Sequence, residues 1–252
     1  MSLAVRDIRK AFGGFQALDG VTLSVPGNAL YGLIGPNGAG KSTLFSVVSG
    51  FMPADSGSVL LDGHSINALS PPQRARAGMV RTFQVPREFR HMTVRENLMA
   101  AAPDQSGESL LRVFFSPGRV REEEARIAAR VDGLIDFLRL RPVADQPSGK
   151  LSGGQKKLLE LGRALMVEPK LILLDEPFAG VNPVLIGELM ERIRELHGRG
   201  IGFFVIEHDL QSLTKLVSRL AVMDRGRIIA EGEPGAVLDD ALVREAYLGG
   251  VS

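Results

Sequence analysis

The chain has 252 residues, 44% of them hydrophobic and 23% charged, which is ordinary for a globular protein and enough for one large domain with a subdomain. Its net charge of +1 predicts no nucleic-acid partner, and the absence of cysteine excludes disulfides and thiol chemistry. The start, Met1-Ser2-Leu3-Ala4-Val5-Arg6-Asp7, has no basic stretch leading into an apolar one, and no apolar run nears the roughly 18 residues of a membrane span, so any membrane role runs through a partner.

Alternating apolar positions (Leu3, Val5, Ile8; Val21, Leu23, Val25) predict the strands of a β-rich flap over 3–9 and 20–25. A Gly13-Gly14 turn separates them. Phe12 and Phe15 sit at that turn, where an aromatic either stacks on a purine base or packs in the core. Leu30–Ile34 reads as a buried strand and 42–49 as a helix. Between them, Gly35-Pro36-Asn37-Gly38-Ala39-Gly40-Lys41-Ser42-Thr43 matches G-x-x-x-x-G-K-[ST] without a gap. Residues 57–63 predict a strand ending in an Asp-Gly turn, and Pro71-Pro72 opens a short helix to Arg76. Met79–Phe83 predicts a strand running into Gln84. Thr93 and Glu96 fit a capping box for a helix reaching about Ala102.

Residues 103–120 break the composition. Leu110-Leu111 and Val113-Phe114-Phe115 form an apolar knot that either packs on its own domain or docks on a partner. From Arg121 the spacing of Ile127, Val131, Leu134 and Leu138 predicts a helix that Pro142 stops. Ser152 and Gln155 of Leu151-Ser152-Gly153-Gly154-Gln155 fit a second capping box, opening a helix to about Val167 whose first N–H groups face any nearby anion. Lys170–Leu174 and Gly202–Ile206 are apolar enough to be strands buried on both faces. Helices at 183–197 and 210–217, strands at 219–223 and 227–231, and a polar helical tail from Pro234 to Leu248 complete the chain.

Strands alternating with helices predict a mostly parallel α/β sheet whose ligand lies along the strands' C-terminal ends. The glycine-rich loop and the helix after it aim backbone N–H groups at a phosphate. Lys41 then reaches the β- and γ-phosphates, and the Ser42 hydroxyl ligates Mg²⁺. Asp175 and Glu176 end a buried strand and point to opposite faces, so each has its own role. Asp175 suits the Mg²⁺ shell, and Glu176 suits activating water as a general base. His208 ends the neighbouring strand, within reach of a γ-phosphate. Gln84, another strand-end residue, senses Mg²⁺ or water, or has neither role.

In this order, Gly35–Thr43, Gln84, Leu151–Gln155, Asp175-Glu176 and His208 resemble the ATP-binding subunit of an ABC transporter, over essentially the whole chain. The resemblance implies a P-loop NTPase α/β fold. Its mostly parallel sheet would carry an antiparallel β subdomain and an α-helical signature subdomain at about 85–165, within a single ATPase domain over 1–252. It implies that Phe12 stacks on adenine and that Gln84 couples the site to membrane subunits. It also implies that two subunits sandwich ATP, with Ser152, Gly153, Gly154 and Gln155 of one facing the phosphate loop of the other. Arg81-Thr82-Phe83-Gln84, Ala179-Gly180-Val181-Asn182-Pro183, the insertion at 103–120 and the ending Ala246-Tyr247-Leu248-Gly249-Gly250 are similar to the LivG-like subunits of branched-chain amino acid importers. Implied partners are a second ATPase subunit (a copy or a LivF-like one), an integral membrane permease and, indirectly, a solute-binding protein. The implied place is the cytoplasmic face of the inner membrane. Urea or amide importers and lipopolysaccharide exporters carry similar subunits. A soluble ATPase of ribosomes or DNA would carry two ATPase units or coiled-coil insertions, and a non-hydrolysing regulator would lack Glu176.

Overall fold

A computed structural model describes residues 1–82, 88–103, 105, 107 and 116–248. Gln84 and the apolar knot at 110–115 lie outside the described residues. The chain divides into two compact units, Met1–Gln84 with Pro169–Ala179 and Ile193–Ser252, and Val85–Glu168 with Gly180–Arg192. In chain order the elements begin with β1 (Leu3–Phe12), β2 (Phe15–Val25), β3 (Leu30–Ile34), α1 (Lys41–Val48), β4 (Ser56–Leu61), β5 (His64–Ser65), α2 (Pro71–Arg76) and β6 (Met79–Arg81). Then come α3 (Val94–Met99), α4 (Pro117–Phe137), α5 (Gly153–Leu165), β7 (Leu171–Asp175), α6 (Pro183–Gly198) and β8 (Gly202–Ile206). The chain closes with α7 (Leu210–Leu216), β9 (Arg219–Asp224), β10 (Arg227–Gly232), α8 (Pro234–Asp239) and α9 (Ala241–Leu248).

The first unit is built on a six-stranded sheet in the order β10-β9-β3-β8-β7-β6. Its pairs are parallel except β10 with β9. Every residue of β3, β7 and β8 is buried, as strands covered on both faces must be. Phe204 sits at the centre, with its ring 5.4 Å from that of Tyr31 and 4.8 Å from that of Phe45 on α1. Burying such a side chain contributes about 1.5–3 kcal/mol each. The registers pair Ile206 with Asp175 on one side and with Leu33 on the other, so β3, β7 and β8 end level. That alignment brings the residues after them to one edge. A second, antiparallel sheet runs β2-β1-β4-β5, with Val5, Ile8, Val21 and Val25 buried.

The second unit is helical. The Thr93 hydroxyl accepts the Glu96 N–H while the Glu96 carboxylate accepts the Thr93 N–H, the reciprocal cap expected for α3. Asn97, fully buried, donates to the Phe89, Met92 and Thr93 carbonyls and accepts the Phe89 N–H, which pins the segment before α3.

Several expected boundaries move. β1 runs on to Phe12 and β2 begins at Phe15, because the two strands stay paired up to the Gly13-Gly14 turn. α3 ends at Met99 rather than Ala102. α4 begins at Pro117, not Arg121, because a proline at a first helical turn loses no hydrogen bond. Pro142 does not stop α4. Arg139, at φ 55, closes it through Leu140 N–H to Ile135 and Arg139 N–H to Asp136, and Pro142 falls in a later 3₁₀ turn. The tail is two helices rather than one polar run, since Val237 and Val243 are buried on either side of the break at Asp240.

Candidate active site

The phosphate loop follows β3 directly. Gly35, Gly38 and Gly40 all have positive φ. At Gly40, with φ 103, a Cβ would also lie 2.5 Å from the Ala17 carbonyl oxygen, so no other residue fits. The Ala39 carbonyl accepts the Gly226 N–H, and the Gly226 carbonyl accepts the Asp19 N–H, clamping the loop to the β9–β10 turn and to β2. α1 opens after Gly40 with no side-chain cap, which leaves its first-turn N–H groups to an anion. Lys41 is buried and donates to the Gly35 and Pro36 carbonyls at 2.7 and 2.9 Å. Burial pushes its pKa down, and the charges of Glu176 and Asp175 pull it back up. Ser42 and Thr43 follow on the first turn, Ser42 exposed.

Asp175 and Glu176 have different partners, but only Asp175 belongs to β7; Glu176 lies past the strand end, so the turn there, not strand alternation, directs its side chain. Asp175 is buried, and its Oδ2 accepts the Arg81 Nη2 at 2.7 Å. Arg81 also donates to the Ser46 and Ser49 hydroxyls at 3.1 Å, joining the end of β6 to α1. Glu176 has φ 49, a strained conformation for a side-chain-bearing residue, and its N–H donates to the Ile206 carbonyl. Its Oε1 lies 2.8 Å from the His208 Nε2.

Glu207 is the buried acid between β8 and His208. Its Oε1 accepts the Phe178 N–H at 2.6 Å, and its Oε2 accepts the His208 N–H at 3.0 Å. Burial pushes this carboxyl up, opposed by those N–H groups.

A cavity of about 750 Å³ opens beside the loop, lined by Phe15, Gln16, Pro36–Ala39 and, from α9, Leu242, Glu245 and Ala246. Burial pushes the Tyr247 phenol on the same helix up to about 12, against the pull of the Gly35 backbone. Phe15, 64% exposed, lines this cavity; Phe12 is not among the lining residues, and its ring instead receives Lys10 Nζ at 5.7 Å.

Ser152 to Gln155 belong to the second unit. The Ser152 hydroxyl accepts the Gln155 N–H and the Gln155 side chain accepts the Ser152 N–H, so the box forms and uses one of the first-turn donors. Gly154 has a packing reason: a Cβ there would lie 2.3 Å from Leu185 on α6.

The structure thus brings Lys41, Ser42, Asp175, Glu176 and His208 to one sheet edge. Sequence reasoning assigned no site role to Arg81, to Glu207 or to the end of the helical tail that forms α9. The first two carried a signal, a charged residue at the end of a strand. The third had none, because the approach of α9 to the loop is a long-range packing event.

The protein-family model described as "ABC transporter" matches residues 18–179, and one described as "Branched-chain amino acid ATP-binding cassette transporter" matches 227–251. A probable branched-chain amino acid transport ATP-binding protein LivG of Archaeoglobus fulgidus is 42% identical over 98% of this chain and 95% of its own. The lipopolysaccharide export system ATP-binding protein LptB of Haemophilus influenzae is 35% identical over 98% and 97%. A crystal structure of the ADP conformation of an ATP-binding cassette of an ABC transporter superposes with a TM-score of 0.84, at 42% identity over 99% of each chain. With these matches spanning the phosphate loop, the Asp175-Glu176 strand end and His208, the chain belongs to the ABC transporter family, as one of its ATP-binding proteins.

Proposed function

We propose that this chain is the ATP-hydrolysing subunit of an importer of branched-chain amino acids. The observation that carries the hydrolytic part is the 2.8 Å contact between Glu176 Oε1 and His208 Nε2 at the phosphate-loop edge. It supports reading Glu176 as the general base for water attack on the γ-phosphate of ATP, with His208 as its partner. Lys41 balances phosphate charge. The hard oxygens of Ser42 and Asp175, whose Oδ2 is held by Arg81, fit Mg²⁺. When bound there, Mg²⁺ would neutralise phosphate charge. Arg81 keeps the Asp175 carboxylate oriented, and His208 holds Glu176 toward the water. Gln84 is assigned to coupling with the permease, and Phe12 to stacking on adenine.

Ser152–Gln155 of a second subunit, a copy or a related chain, would complete the anion site, with 1–252 acting as one ATPase domain and 85–165 as its inserted signature subdomain. Among the described residues no helix is long and apolar enough to cross a membrane, which supports a peripheral subunit on a separate permease at the cytoplasmic face. The match over 227–251 supports the amino-acid substrate over lipopolysaccharide export.

Phosphate release by the purified chain with ATP and Mg²⁺ tests the site. Glu176→Gln is expected to bind ATP while turnover falls by about 10²–10⁴-fold, the usual weight of a general base. Near-normal turnover in that variant sinks the assignment. Copurification from membranes of a permease that takes up labelled leucine tests the substrate; recovery with lipopolysaccharide-export components overturns it.

A further inference from the structure

We infer that Glu207 is a positioning residue for hydrolysis: its buried carboxylate ties the turn after Glu176 to the turn that carries His208 and so holds that pair together. The inference rests on the reading of Glu176 and His208 as the water-handling pair.

The two residues come from loops after adjacent strands, β7 and β8, and the ladder between those strands ends at Asp175 and Ile206. Beyond that point Glu176 N–H to the Ile206 carbonyl is one further tie. Glu207 supplies the next. One oxygen takes the Phe178 N–H at 2.6 Å, two residues after Glu176, and the other takes the His208 N–H at 3.0 Å and the Asp209 N–H at 3.5 Å. A side chain 3% exposed therefore spans both loops, with its acceptors turned to backbone on each side. Glu176 is the residue that needs such over-determination, because its φ of 49 persists only where surroundings enforce it.

The fold gains little from this acid as an anion. Its pKa is raised, chiefly by burial, so its contribution to stability is largest below the ordinary carboxylate pKa and is lost as pH rises through the raised one. At neutral pH, removing the charge is not expected to weaken folding. What the charge provides is the double acceptor that bridges the loops.

The test uses the full chain and ATPase kinetics. Glu207→Gln keeps volume but turns an N–H₂ toward one of the backbone donors. It is expected to lower kcat about tenfold or more per folded molecule, with the ATP KM within about twofold and the chain still folded at the assay temperature, although the unsatisfied backbone donor lowers Tm. Glu207→Asp, which keeps both oxygens, is expected to recover part of the loss and serves where the Gln variant folds poorly. In Glu207→Gln with His208→Ala the losses should not add, since both act on one pair. A kcat within about twofold of the parent, additive losses, or a defect that disappears when rates are normalised to folded protein overturns the inference. Glu176→Gln run in parallel separates the two readings. If it keeps turnover, the assignment of the pair itself has failed; if it collapses while the Glu207 variants stay normal, only the positioning role has.

Discussion

Replacing Arg81 by methionine would leave Asp175 as a buried charge without its hydrogen-bonded cation, with the Lys41 charge nearby. Both side chains are 8% exposed, and the Nη2–Oδ2 distance is 2.7 Å. Solvent screens such a pair little, so the surface value of a salt bridge does not apply. Breaking a buried pair from one side costs about 3–5 kcal/mol, because the remaining ion stays desolvated. For a chain of this size that corresponds to a drop in Tm of roughly 6–20 °C. Methionine keeps apolar contact with Phe45 and Phe51, whose rings lie 5.9 and 6.0 Å from the guanidinium, so the loss should come mainly from charge and hydrogen bonds. Denaturant unfolding of wild type, Arg81→Met, Asp175→Asn and the double variant closes a cycle. The double variant should be more stable than Arg81→Met alone, with a coupling of about 2–3 kcal/mol. Additive effects, or a loss under about 1 kcal/mol for Arg81→Met, would refute the view that Asp175 depends on Arg81.

Two further outcomes are expected. Gly154→Val pushes a side chain into Leu185 and should destabilise by about 1–3 kcal/mol in denaturant melts, with Leu185→Ala in the same chain recovering part of it. Lys41→Ala and Ser152→Arg should each abolish phosphate release alone, and mixing the two proteins should restore some, because one composite site then has an intact loop and an intact signature helix; no restoration on mixing would argue against a shared site.

Much of this site is legible along the chain because its parts are local. A phosphate loop is nine consecutive residues, and its conformation follows from glycines that adopt positive φ without steric cost. The caps at Thr93 and Ser152 are four-residue patterns, and both form. β3, β7 and β8 announce themselves as apolar runs because a strand buried on both faces has no polar side to show. The divergence of Asp175 and Glu176 is also readable from the chain, but its cause is the turn at Glu176, with φ 49 beyond the end of β7, and not the period of the strand.

The rest required the chain to fold back on itself. The strand order β10-β9-β3-β8-β7-β6 sets residues 33, 175 and 206 side by side, and no local pattern contains that order. Arg81 meets Asp175 across 94 positions, and Glu207 meets Phe178 across 29. Each reads on its own as an unremarkable charge at a strand end, and only the partner decides whether it is a solvated residue or a buried tie. Propensity and spacing settle which segments form helices, strands and a phosphate loop. Which carboxylate faces a cation, which faces a histidine and which holds the loops was decided by packing, because the cost of burying a charge depends on what else is buried beside it.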